Sequence, residues 1–234
     1  MSEFPDARRA ELEALIGSVD LTPGDLVIDI QAAGGFVADE VHRRLFGEVE
    51  CVCIEPSATL RRRLNPVHRA VADSVHAWRS IADGSADVAL GLASLHHSES
   101  ASGTIGEAFR ALKPGGQFAV CDVIPGSPVA RWLNDFVDQH NQTGHAGRFY
   151  NAPQLRAMLT AAGFHAVTVR RRTVPWRFMD HHRMIRFLQG LFGLECPLGA
   201  IEHGVREYLG VAERQTGLIE LNWELNYAVA RKPG

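Results

Sequence analysis

Residues 26–30, Leu26-Val27-Ile28-Asp29-Ile30, are apolar except for Asp29 and open directly onto Gln31-Ala32-Ala33-Gly34-Gly35-Phe36. An apolar run without polar alternation reads as a strand covered on both faces, and such strands belong to parallel sheets flanked by helices. The turn that follows leads into a stripe-patterned helix at residues 36–46, so the segment is a βα unit whose backbone amides gather at the strand's carboxyl end. Glycine is expected at two positions of that turn, which instead carry Gln31 and Ala33. Glycine is used in such places for positive φ or for close approach to a ligand; Ala33 adds one methyl group there and Gln31 a long amide.

The alternation continues down the chain. A helix is predicted at residues 7–16, and Thr22-Pro23-Gly24-Asp25 forms a turn ahead of the first strand. Strands at 49–54, 86–92 and 117–124, with a shorter apolar run near 67–71, alternate with helices at 58–64 and 105–112. Lys113-Pro114-Gly115-Gly116 reads as a hard stop. Residues 125–151 break the rhythm with an amphipathic helix at 129–136 and a polar, glycine-punctuated loop, the pattern of a lid. A helix at 153–162, a strand at 167–174 and a last strand at 221–230 complete the sheet, and residues 175–220 form a helical insertion rich in large apolar side chains. The expectation is one α/β domain over 1–234, a Rossmann-like, mostly parallel sheet with helices on both faces.

Composition narrows the ligand. A net charge of −3 provides no positive field for nucleic acid or an anionic membrane, and no 18-residue apolar stretch occurs. The start, Met1-Ser2-Glu3-Phe4-Pro5-Asp6, lacks a basic segment ahead of an apolar run, so a cytoplasmic protein is expected. Lys113 and Lys232 are the only lysines among 24 basic residues, which fits a GC-rich bacterial coding bias. Cys51, Cys53 and Cys121 lie in apolar runs and read, with Cys196, as inert thiols. Arg61-Arg62-Arg63 and Arg170-Arg171-Arg172 read as solvated faces, with no single basic stripe.

Ligands of open α/β sheets bind beyond the carboxyl ends of the strands. The residues placed there are Asp29 with the Gly34-Gly35 turn, Glu55-Pro56, Asp73-Ser74, and Ala93-Ser94-Leu95-His96-His97. Glu55 stands 20 residues beyond Gly35, the separation at which an acid after the second strand accepts both ribose hydroxyls of an adenosine. A nucleoside cofactor follows. The spacing of a dinucleotide fingerprint would require glycines at positions such as 31, 33 and 36, which are absent.

With these pieces in this order, residues 20–170 and the last strand resemble the class I S-adenosylmethionine-dependent methyltransferases, in particular the small-molecule group of the methyltransferase type 11 kind. The carriers are Leu21 to Asp25 leading into Val27-Ile28-Asp29, then Glu55-Pro56-Ser57, Asp73-Ser74, Asp87 to His97, and Leu112 to Gly116. The resemblance implies a seven-stranded sheet with an antiparallel last strand and S-adenosyl-L-methionine as cofactor. It implies that Asp29, Gln31, Ala33, Gly34 and Gly35 form the turn at the methionine portion. Glu55 and Pro56 would lie at the ribose, Asp73 and Ser74 at the adenine, and Ala93, after the fourth strand, is a further cofactor-binding position. Gln31 and Ala33 depart from the family's glycines. Three uses of Gln31 stay open: it turns away, it contacts the amino-acid end of the cofactor, or it blocks the site.

Methyl transfer depends on alignment and exclusion of water, with a base where the acceptor must lose a proton. His96 and His97 sit after the fourth strand, and His145 in the lid loop, between Gly144 and Gly147, is the preferred base. Acidic strand ends and loop histidines also have purely structural uses. His181 and His182 are adjacent, about 100° apart on a helix, and no third ligand accompanies them, so no metal set is expected. Trp176, Phe178, Met179, Met184, Phe187, Leu188, Leu191 and Phe192 would pack as core, wall an apolar or aromatic acceptor, or form a homodimer face. The expected partner is a small molecule of a bacterial secondary pathway. The alternatives are a rearrangement, cyclisation or elimination on the same fold, and a non-catalytic scaffolding role.

Overall fold

The computed structural model describes residues 7–234; residues 1–6, on which the expectation about the chain's start rests, lie outside the described residues. The first half runs α1 (Arg9–Ile16), β1 (Leu26–Ile30), α2 (Phe36–Arg44), β2 (Glu50–Ile54), α3 (Ala58–Arg61), β3 (Arg69–Val71), β4 (Ala86–Leu92), α4 (Ala101–Ala111) and β5 (Leu112–Val123). It continues with α5 (Pro128–Arg131), α6 (Asp138–His140), α7 (Ala152–Ala161), β6 (His165–Thr173), β7 (Trp176–Phe178), α8 (His181–Phe192), α9 (Leu198–Gly204), β8 (Val211–Glu213), β9 (Ile219–Leu221) and β10 (Glu224–Arg231). Among the described residues no helix is long and apolar enough to cross a membrane.

The chain forms two compact units. The first comprises Leu12–Asp122, Tyr150–Arg170 and Asn226–Gly234. It is built on the seven-stranded sheet, in the order β3-β2-β1-β4-β5-β10-β6, with the last strand antiparallel. Parallel pairing sets Val27 beside Cys51 and Val88, and Ile28 beside Val52 and Ala89. Because side chains alternate along a strand, these rows fall on opposite faces. Ile28, Ile30, Val52 and Ile54 pack with Ile105 and Ala108 of α4 and Leu155 and Leu159 of α7. On the other face α2 is laid down, with Val37, Ala38 and Val41 buried and the Cys51 thiol donating weakly to the Ala38 carbonyl at 3.7 Å. Burial on both faces explains why β1 and β2 are apolar without alternation.

Most element boundaries match the sequence reading, and the differences have local causes. Helix α4 starts at Ala101, four residues earlier than predicted, because Ser100 caps it by accepting from the Gly103 N–H at 3.0 Å. Lys113-Pro114-Gly115-Gly116 is not a stop: β5 runs through it, with an irregularity between Ala86↔Leu112 and Val88↔Gln117. Gly115 at φ +80 absorbs the irregularity, while Lys113 Nζ holds both Asp87 oxygens at 2.7 and 2.8 Å. All four cysteines are free thiols. Burial pushes Cys51 up to about 12 and Cys53 higher still, so neither forms a thiolate at neutral pH.

The second unit takes the residues up to Glu11, Val123–Phe149 and Arg171–Leu225. The 175–220 segment is not wholly helical, since β7, β9 and β8 form a three-stranded antiparallel sheet beside α8 and α9. Three-residue strands are too short to show a period of two in sequence. Strand β9 also takes Leu221, so the final strand of the large sheet begins at Glu224 rather than Leu221. Trp176 stacks on Trp223 at 3.9 Å, and Trp132 on Phe136 at 4.5 Å. Trp176, Phe178, Met184, Phe187 and Leu188 are buried, whereas Met179 is 65% exposed. Much of the apolar set is therefore packing.

Two π-helical turns interrupt the helices, Trp132–Val137 between α5 and α6 and Val205–Leu209 after α9. Gly204 lets the Phe136 ring lie on the α9 backbone, because a Cβ at Gly204 would come within 2.4 Å of that ring. Gly204→Ala is expected to destabilise the protein by about 1–3 kcal/mol through overpacking, outweighing the roughly 1 kcal/mol that alanine gains in a helix. A lowered urea midpoint at constant slope would register it; an unchanged or raised midpoint would mean that the ring yields.

Candidate active site

The sheet order reverses between β1 and β4, so the crevice at their carboxyl ends is the topological switch point. Five non-glycine residues among those described have positive φ, and three of them line this crevice: Gln31 at 55°, Ala33 at 48° and Ala93 at 53°. The chain thus keeps the left-handed conformations for which glycine is normally used, with side chains in place. Such strain, of the order of 1–3 kcal/mol per residue, collects at functional sites.

Glu55, at the end of β2, is 2% exposed and stitches the crevice together. Its Oε2 accepts from the Ala33 N–H at 2.8 Å and its Oε1 from the Ser57 N–H at 2.8 Å. Each carboxylate oxygen keeps a second lone pair for a further donor. Asp29 is also buried, and its Oδ2 accepts from the Ala38 N–H at 3.2 Å. Gly35, the N-cap of α2, has no side chain to satisfy that amide, so Asp29 caps the helix from β1. Burial, with Glu55 adding repulsion, raises the Asp29 carboxyl to about 7.

Gln31 is half-buried, and its Oε1 is buried with no hydrogen-bond partner among the described residues. Ser94 Oγ, turned back onto Gly91, is a second buried orphan at the end of β4. Pro56 is exposed and Ser74 half-buried. Asp73 uses both oxygens to hold Ser80, accepting from its N–H at 2.7 Å and its hydroxyl at 3.0 Å, and so closes its own loop.

His96 is held by a residue the sequence reading did not single out. Asp122 Oδ1 lies 2.6 Å from His96 Nδ1, Asp122 Oδ2 accepts from the His96 backbone N–H at 3.0 Å, and both side chains are 3% exposed. A carboxylate that accepts at both oxygens requires Nδ1 to carry the proton, which leaves the lone pair of the neutral ring on Nε2. The signal was a lone acid inside the apolar run Phe118 to Ile124. His97 is exposed, with its ring 4.0 Å from that of His96.

In the second unit, His145 is half-buried in a loop pinned to the preceding helix. Its backbone N–H donates to Asp138 Oδ1 at 2.6 Å, and its Nδ1 lies 3.1 Å from Asn134 Oδ1. Asn134 Nδ2 donates to the Gly147 carbonyl at 2.9 Å, which fixes the amide so that its oxygen faces the imidazole. His145 therefore also carries its proton on Nδ1. Trp132 is fully buried, and its Nε1 has no hydrogen-bond partner among the described residues.

Residues 7–169 match the model of a methyltransferase-domain family. No curated protein matches the chain significantly. Among solved structures, the YcgJ protein of Bacillus subtilis is 16% identical, with 97% of this chain and 100% of that one covered at a TM-score of 0.66. Phosphoethanolamine N-methyltransferase 2 of Haemonchus contortus, in complex with S-adenosyl-L-methionine, is 16% identical over 96% of this chain and 52% of its own, at a TM-score of 0.66. The [4+2]-cyclase SpnF is 20% identical over 97% and 80%, at a TM-score of 0.63. At these identities the likeness is one of fold.

Proposed function

The chain belongs to the methyltransferase-domain family, and from that premise we propose that it binds S-adenosyl-L-methionine and transfers its methyl group to a small, apolar or aromatic molecule. The observation that carries the reading is Glu55, a buried acid at the carboxyl end of β2, tied to the turn beyond β1. The residues fit the cofactor on two counts: Glu55 keeps acceptor capacity for vicinal hydroxyls, and Gln31 Oε1 is a buried acceptor awaiting a donor. When bound, the cofactor supplies an electrophilic methyl carbon. Asp29, Ala33, Gly34 and Gly35 shape the turn against it, Glu55 and Pro56 hold the ribose, Asp73 and Ser74 border the adenine side, and Ala93, after β4, borders the β1/β4 crevice.

We assign acceptor recognition to residues 125–151 and 175–220. The buried aromatic side chains there, with Trp132 Nε1 lacking a partner among the described residues, favour an apolar acceptor that brings a hydrogen-bond acceptor of its own. His96 and His145, each with Nε2 as the basic nitrogen, are the candidate bases, and His97 follows His96 in sequence. We place the activity in the cytoplasm of a bacterium and in secondary metabolism, acting as a monomer or homodimer.

Calorimetric titration with S-adenosylmethionine and S-adenosylhomocysteine tests the reading. Binding of both in the micromolar range is expected. No binding at millimolar concentration would refute methyl transfer and favour a cofactor-free rearrangement or cyclisation, a chemistry that the fold of SpnF accommodates.

A further inference from the structure

We infer that the Gln31 side-chain carbonyl reads the α-ammonium of the cofactor, so that affinity depends on the amino-acid end and not on the nucleoside alone. This rests on the cofactor reading above.

Position 31 carries two penalties at once. Its Oε1 is a buried acceptor without a donor among the described residues, which disfavours the fold. Its φ of 55° in a non-glycine residue adds backbone strain. Glycine would remove both. A side chain kept there under strain, with its polar atom unsatisfied, is explained by a donor that arrives with the ligand.

Strand order identifies the donor. Beyond β2 stands Glu55, which on the reading above would take the ribose hydroxyls; β1 lies between β2 and β4, and Gln31 immediately follows β1. A cofactor whose ribose were held at Glu55 and whose adenine lay toward β3 would have its methionyl end on the β1 side, where residue 31 stands. With the hydroxyls at Glu55 and the adenine amine on the far side of the ribose, the remaining donor is the ammonium. Its bond to a carboxamide oxygen is charge-assisted, hence of the stronger kind. Gln31 thereby selects for an intact amino acid and against nucleosides that have lost it.

The purified 234-residue chain, titrated calorimetrically with S-adenosylhomocysteine, its desamino analogue and 5′-methylthioadenosine, decides the matter. The wild type is expected to prefer S-adenosylhomocysteine over the desamino analogue by about tenfold to a hundredfold, the worth of one charged hydrogen bond. Gln31→Met, which keeps the bulk, and Gln31→Gly, which suits the backbone, should each cut that preference below about threefold and leave 5′-methylthioadenosine affinity unchanged. Variants that retain the full preference overturn the inference. So does Gln31→Gly binding S-adenosylhomocysteine more tightly than the wild type, since Gln31 would then be an obstruction. A wild type that binds S-adenosylhomocysteine and the desamino analogue equally refutes the ammonium assignment alone; one that binds none of the three refutes the cofactor reading with it.

Discussion

Glu55→Ala should lose S-adenosylhomocysteine affinity by about a hundredfold and lower the melting temperature, two effects with one origin. The carboxylate accepts from Ala33 N–H and Ser57 N–H on two segments of chain. Alanine orphans both amides, at a cost of about 1–3 kcal/mol for each that water does not reach. The turn beyond β1 then loses its tie to β2, and on the proposed reading the ribose would lose charged acceptors worth about 1.5–3 kcal/mol per bond. Glu55→Gln separates the two roles: its one carbonyl oxygen can hold one amide, so stability should fall less than in alanine, while the NH2 group opposes an N–H or a hydroxyl and affinity still drops. Calorimetry and thermal melts read the two effects apart. Full affinity in Glu55→Ala, with the fold intact, would remove Glu55 from the cofactor site and leave it a structural tie.

The large sheet was legible because each of its early strands is short, apolar and followed by a turn, and because Glu55 and Asp29 interrupt or end those runs with charge. The same logic located the turn at 31–35 and offered positive φ or close approach to a ligand as the reason for glycine there; Gln31 and Ala33 do take positive φ, at 55° and 48°. Tertiary partnerships were not legible. Asp122 faces His96 across 26 residues of chain, and nothing local marks the pair except an acid in a buried strand. Asn134 and Asp138 hold the His145 loop, although a helix carrying polar residues reads simply as amphipathic. The small sheet of β7, β8 and β9 escaped because three-residue strands flanked by turns carry no measurable period. Asp29 was expected to shape the turn near the methionine portion; the bond it makes is to the first turn of α2, a helix whose own N-cap is a glycine.

That placement makes Asp29→Asn the variant with the largest expected effect on stability. Burial holds the Asp29 carboxyl at about 7 against an ordinary 3.8, because the charged form is stripped of water and its single amide donor does not make up the loss. Between those two pH values the folded protein binds the proton that the unfolded chain has released. By linkage, stability falls as pH rises from about 4 to 7 and stays lowered above that. A shift of this size corresponds to as much as about 4 kcal/mol at pH 8, an upper figure because water entry and relaxation soften it. Asparagine cannot ionise, and its amide oxygen can keep accepting from Ala38 N–H. Asp29→Asn should therefore melt well above the wild type at pH 8, with the gap shrinking to less than half at pH 5 and nearly closing at pH 4. Urea unfolding at the three pH values measures it directly. A gap that is constant across them would mean that Asp29 titrates like an exposed acid, and that a carboxylate at neutral pH costs the fold nothing. If the gap follows the expected course, the charged carboxylate lowers stability by design of position: it is retained beside Glu55, at the end of the strand that leads into the candidate cofactor turn, where an apolar or amide residue would give a more stable protein.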